Sequence, residues 1–160
     1  MAFFIRKFPK YMKLRNGRFN QKKAFKLQTP QMQEALQQLS TSITYKGNPA
    51  HKKNPGDFGL TPLSGARLGK SLCDEVGIFT LREAQTLLRE GMKLGLVSVQ
   101  ERNGFPQNIW MVLKREEEFY PLEAQFENAI QGQYHGYPLQ QSDPFYDEVL
   151  RKWSCLYEQA

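Results

Sequence analysis

Apolar residues recur at helical spacing in three parts of the chain and at strand spacing in three others. In QMQEALQQLSTSI, Met32, Ala35, Leu36, Leu39 and Ile43 fall on one helical face. Thr29 and Pro30 before it predict an N-cap and a first helical residue. TLREAQTLLREGMKLG is the clearest helix. Thr80 and Glu83 stand at capping-box spacing, Leu81, Ala84, Leu87, Leu88 and Leu94 form its apolar face, and Gly95 is placed to end it. Gly91 inside it predicts close packing, since a mid-helix glycine costs roughly 1 kcal/mol relative to alanine. A last helix, capped by Asp143 with Pro144 behind it, presents Phe145, Val149, Trp153 and Leu156 or Tyr157 to the core.

Strand signals lie between the second and third helices. LVSVQER and NIWMVLK flank NGFPQ, a loop led by a good turn dipeptide. In FYPLEAQFE, Tyr120, Leu122, Ala124 and Phe126 alternate with Glu123, Gln125 and Glu127, the period of a half-buried strand. Pro121 implies an edge position or the beginning of the strand. Two stretches show no periodicity. Residues 46–71 hold five glycines and three prolines and read as one long loop; NAIQGQYHGYPLQQSD reads as a second, Gly-rich loop. The expected fold is α+β: a short N-terminal helix, a long Gly/Pro-rich loop, an amphipathic helix, a three-stranded antiparallel meander and a C-terminal helix. It occupies residues 29–160 as a single domain.

Residues 1–28 stand apart. Phe3, Phe4, Phe8, Tyr11, Phe19 and Phe25 are interleaved with nine cations and no acid. The net charge of +6 is uneven: residues 1–53 carry twelve Lys or Arg against Glu34 alone, and the rest carries ten against fifteen acids. A basic aromatic arm on a mildly acidic body suits a single-stranded nucleic acid, where bases stack on rings and phosphates meet cations. It equally suits a segment that docks its aromatics onto the fold, or a solvated tail. Forty per cent hydrophobic residues predict a folded chain, and no apolar run is long enough for a membrane span. The N-terminal stretch lacks the apolar segment of a secretory signal, and Pro9 and Asn16-Gly17 interrupt an amphipathic presequence. Cys73 and Cys155 have no metal-ligand spacing, which points to a reduced, cytoplasmic protein.

There is no Walker loop, dinucleotide fingerprint or HExxH, and neither histidine has a partner at metal-ligand spacing. No cofactor or metal is expected. The chemistry on offer is one histidine in each loop: His51 in AHKKNPGDFG and His135 in QYHGYP. Two imidazoles can divide general-base and general-acid work, with Arg67 stabilising charge on a phosphoryl group. Lys7, Lys10, Lys13, Arg15, Arg18, Lys22 and Lys23 in the arm, with Lys52, Lys53 and Lys70 in the long loop, are the candidate nucleic-acid contacts. Each also reads as an ordinary surface group: a hydrogen-bonded loop histidine, a solvated lysine.

The order of TLREAQTLLREGMKLG, LVSVQER, NIWMVLK and FYPLEAQFE, in a basic chain with scattered His, Lys and Arg, resembles the small bacterial toxin endoribonucleases of RelE-like and colicin-D-like type. The resemblance is one of element order over roughly residues 30–135, with no family motif matched residue by residue. It implies metal-independent RNA cleavage and a tight-binding inhibitor protein, an antitoxin, as partner. Two further readings stand beside it. One is a non-enzymatic RNA- or ribonucleoprotein-binding component that works through its arm. The other is a winged-helix DNA binder, with Arg82, Arg89 and Lys93 on the recognition helix and Arg102 in the wing.

Overall fold

In the computed structural model, which describes residues 24–46, 78, 80–128 and 131–159, Thr29 Oγ1 accepts a hydrogen bond from Met32 N at 3.3 Å. That cap and Pro30 start α1, Pro30–Leu39. Leu36 and Leu39 pack against the core and Ile43 is fully buried, whereas Ala35 is exposed. Thr80 caps α2, Leu81–Leu94, accepting from Glu83 N at 3.1 Å, and Gly95 ends it at φ 81°. Leu81, expected on the core face, is exposed, while Met92 is fully buried. A side chain at Gly91 would collide with the carbonyl oxygen of Trp110. The glycine therefore lets α2 lie directly on the strand that carries Trp110.

Between the two helices the chain forms β1, Thr44–Tyr45, which had no counterpart in the sequence pattern. The side-chain amide of Gln85 holds it, donating to Ile43 O at 3.0 Å and accepting from Tyr45 N at 2.6 Å. The expected Asn-Gly turn is present: Asn103 (φ 51°) and Gly104 (φ 81°) join β2, Glu101–Arg102, to β3, Phe105–Pro106. LVSVQER is not the continuous strand expected. Val97 makes an isolated bridge to Ile109 and Ser98 one to Phe25, and only Glu101 and Arg102 enter the hairpin.

The main sheet consists of β1, β4 (Asn108–Arg115), β5 (Glu118–Asn128) and β6 (Gln133–Pro138), in the order β1-β6-β5-β4. Strands β4, β5 and β6 run antiparallel, and β1 joins β6 in parallel. The expected three-stranded antiparallel meander is thus a four-stranded mixed sheet. QYHGYP, expected as loop, is β6 itself, and His135 is a strand residue. Gly136 serves close approach rather than a turn: a Cβ there would sit 3.3 Å from both Glu123 O and the Tyr45 ring.

Pro121 is neither on an edge nor at a strand start; it lies inside β5, opposite Val112 of β4. Its carbonyl accepts from Leu139 N at 2.9 Å, just past the end of β6. In an extended strand a residue's N–H and C=O point to the same side. The missing N–H therefore faces the side where β6 has ended, and no ladder bond is lost within it.

The sheet is buried on both faces. Ile109, Leu113, Leu122, Ala124 and Tyr134 meet α1 and α2 on one side. On the other, Trp110 and Val112 meet α3, Tyr146–Gln159. Asp143 Oδ1 accepts from Phe145 N at 2.8 Å ahead of α3, in keeping with the expected cap. Phe145 and Val149 are buried and Trp153 and Leu156 half-buried, whereas Tyr157 is exposed. Among the described residues no helix is long and apolar enough to cross a membrane.

Candidate functional site

The arm meets the body at Ala24–Gln28. Val99 N donates to Ala24 O at 2.8 Å and Lys26 N to Val97 O at 3.0 Å, so this piece of chain pairs like a short strand. The Phe25 ring sits 4.9 Å from the Trp110 ring and 5.0 Å from that of Phe145. Phe25 thus docks into the core, one of the fates open to the arm aromatics. Lys26 Nζ bonds Glu101 Oε1 at 2.5 Å and ties the junction to the β2–β3 hairpin.

The sheet face that receives Phe25 carries two polar cross-strand rows. In the first, Trp110, Glu123 and Tyr137 stand directly opposite one another on β4, β5 and β6. Glu123 is 1% exposed. Its carboxylate accepts from Trp110 Nε1 at 2.9 Å, Tyr137 Oη at 2.5 Å and Gln125 Nε2 at 3.3 Å. Three donors make an otherwise costly buried carboxylate tolerable. Burial first, and the Glu123 carboxylate second, push the Tyr137 phenol well above its ordinary range, so it stays a donor.

The second row is Asn108, Gln125 and His135. The Gln125 amide also donates to Tyr137 Oη at 2.8 Å, which fixes its orientation. His135 is largely buried, with Nδ1 3.8 Å from Glu127 Oε2 and its ring centroid 6.3 Å from that of Tyr137. The side chains of this row are amides and an imidazole, with one carboxylate beside them. Asn108 is buried and both Gln125 amide protons are engaged, on Glu123 Oε1 and Tyr137 Oη, so the accessible polar group here is the Glu127 carboxylate.

Of the candidate catalytic residues and the arm and loop contacts, only His135 falls within the described residues. His51, Arg67, Lys52, Lys53 and Lys70, and the arm cations Lys7, Lys10, Lys13, Arg15, Arg18, Lys22 and Lys23, lie outside them. Glu123, Gln125, Tyr137 and Trp110 were missed as site residues. The alternation in FYPLEAQFE did place Glu123, Gln125 and Glu127 on one face; reading QYHGYP as a strand would have set His135 and Tyr137 opposite them. Several body cations are paired: Arg115 with Glu83, and Arg151 with Glu148 at 3.0 Å. On α2, Arg82 and Lys93 are exposed, but Arg89 is half-buried, with its Nε buried and without a hydrogen-bond partner among the described residues. Among those residues no group of three His, Cys, Asp or Glu side chains is placed to hold a metal ion.

No family model matches the chain, and no curated protein or solved structure matches it.

Proposed function

We propose that this is a nucleic-acid-binding protein whose basic N-terminal segment takes single-stranded RNA. The observation that carries this reading is the anchor at Phe25. Residues 1–23 hold eight Lys or Arg and no acid, and they join the body at a point fixed by two backbone hydrogen bonds and a core ring. Beyond that point Lys26, Arg115 and Arg151 are spent on carboxylates. Uncompensated positive charge is concentrated on one side of the anchor, where phosphates gain most from it.

The test is the salt dependence of binding to a labelled single-stranded RNA. The whole chain is expected to bind with an affinity that falls steeply with salt, at roughly −0.7 per phosphate contact on a log–log plot. Deleting residues 1–23 should remove that affinity while the body keeps its fold. Unchanged affinity after the deletion would sink the reading.

One observation favours a second, catalytic reading, the toxin-type endoribonuclease. His135, a residue type suited to acid-base work, has its Nδ1 3.8 Å from the Glu127 carboxylate. In that case wild-type protein cleaves bulk tRNA in EDTA and His135→Ala does not, although it still binds. Equal cleavage by both proteins, or by neither, removes this reading and leaves the binding one standing.

A further inference from the structure

We infer that the solvent face of α2 is a phosphate-binding surface for the backbone of single-stranded RNA. The inference rests on the RNA-binding reading above and adds contacts on the folded body. Arg82, Arg89 and Lys93 recur along α2 at intervals of seven and four residues. At about 100° and 1.5 Å per residue, they fall within about 40° of one another along about 16 Å of helix. The stripe lies roughly opposite Ala84 and Gly91, which are buried.

This part of the body keeps its positive charge. Lys26, Arg115 and Arg151 sit on carboxylates, but no ion pair among the described residues involves Arg82, Arg89 or Lys93. Thr86, between them, turns its hydroxyl onto Arg82 O at 3.0 Å and leaves the stripe to the cations. Of the two acids on α2, Glu83 is held by Arg115, and Glu90 stands to one side of the stripe.

Arg89 adds a second observation. Its Nε is buried and has no hydrogen-bond partner among the described residues, a cost that native structures seldom carry without a reason. The residue as a whole is only half-buried, so the stem is planted while the terminal nitrogens of the guanidinium face solvent. A fork held in this way gives up little freedom on gripping a phosphate with its two terminal amines.

The helix also ends at the arm junction. A side chain at Gly95, two residues after Lys93, would sit 3.0 Å from Gln28 Cγ. Gln28 Nε2 in turn donates to Lys26 O at 3.1 Å. The stripe therefore starts where the basic segment joins the body, and one RNA strand can cross both. Contacts of this kind position phosphates and read no bases.

The experiment is fluorescence anisotropy on the full chain with labelled poly(U) and poly(A) across a salt series. The triple variant Arg82→Gln, Arg89→Gln, Lys93→Gln should weaken both RNAs alike, by roughly tenfold. Its log–log salt slope should be shallower by about 2, from three phosphate contacts at about 0.7 each. A control, Lys46→Gln, Lys114→Gln, Lys152→Gln, removes the same charge elsewhere on the body and should change both readouts much less. Near-ultraviolet circular dichroism checks each fold. If the triple variant is not native, the double variant Arg82→Gln, Lys93→Gln, at two exposed positions, decides with a slope change of about 1.4. Stripe variants with wild-type affinity and slope, or a control that loses as much, overturn the inference while the arm reading survives. Tighter, equally stripe-dependent binding to a DNA duplex of the same length would assign the surface to DNA and overturn it as stated. A wild type that binds no RNA overturns both.

Discussion

The Trp110 indole N–H and the Glu123 carboxylate meet at 2.9 Å across directly paired positions of β4 and β5. A carboxylate that is 1% exposed survives there because two further groups, Tyr137 Oη and Gln125 Nε2, also donate to it. The contact links core packing to the polar face, since the same indole packs against Phe25 and Phe145.

Replacing Glu123 by Leu strands donors that have no water to turn to. Each buried donor left unsatisfied costs about 1–3 kcal/mol. Glu123→Leu is expected to lower the urea-unfolding free energy by several kcal/mol, although Leu is the more apolar residue. Tyr137→Phe removes one donor and should cost less. A Glu123→Leu protein as stable as wild type would show that the carboxylate network contributes nothing.

Gly91→Ala sets two effects against each other. Helix propensity favours alanine by about 1 kcal/mol, but the new methyl would collide with the Trp110 carbonyl. Overpacking of this kind costs about 1–3 kcal/mol, and here the neighbour is backbone that cannot swing aside. The variant should be destabilised, with a lower thermal midpoint. Gly104→Ala makes a useful contrast: nothing lies near that position, and only its positive φ is strained.

The turn between β4 and β5 runs through Glu116 (φ 48°) and Glu117 (φ 70°), two side-chain-bearing residues in the left-handed region. That conformation costs an L-residue roughly 1–2 kcal/mol, and Asn-Gly is the preferred pair for such a turn. The double variant Glu116→Asn, Glu117→Gly should therefore raise stability by about 1 kcal/mol or more. Differential scanning calorimetry would read it as a higher thermal midpoint.

Burial raises the phenols of both Tyr134 and Tyr137 above their ordinary value of 10.0. Their neutral forms are favoured in the folded state, so the associated stability is complete below pH 10.0 and falls as pH rises beyond it. Each tyrosine contributes a slope of up to about 1.4 kcal/mol per pH unit. Urea midpoints should be insensitive to these two groups at neutral pH and drop above the ordinary phenol value. Tyr137→Phe should reduce the steepness of that drop.

Local signals were read correctly where the physics is local. Thr29, Thr80 and Gly95 sit where capping requires, and Asn103-Gly104 turns a hairpin as that dipeptide should. Errors arose where a distant partner decides. β1 has only two residues and exists because Gln133 and Tyr134 lie alongside it, far away in the chain. Gly136 looked like loop punctuation, but its role is to admit the Tyr45 ring. Glu123 looked solvent-facing because alternation identifies a face without saying what covers it; Trp110 and Tyr137 supply that information. Of the candidate site, His135 was visible as a residue type, while its neighbours across the sheet required the β5–β6 register.

Gln85 has a consequence beyond holding β1. Its amide occupies the Ile43 carbonyl and the Tyr45 N–H on the side of β1 away from β6, as a neighbouring strand would. An unpaired edge is a template on which another chain can crystallise a strand and begin to aggregate. Here one side chain on a helix impersonates that missing strand. Gln85→Ala should thus reveal itself less as lost stability than as a sheet that recruits its own kind, visible as slow growth of scattering in a concentrated, fully folded sample.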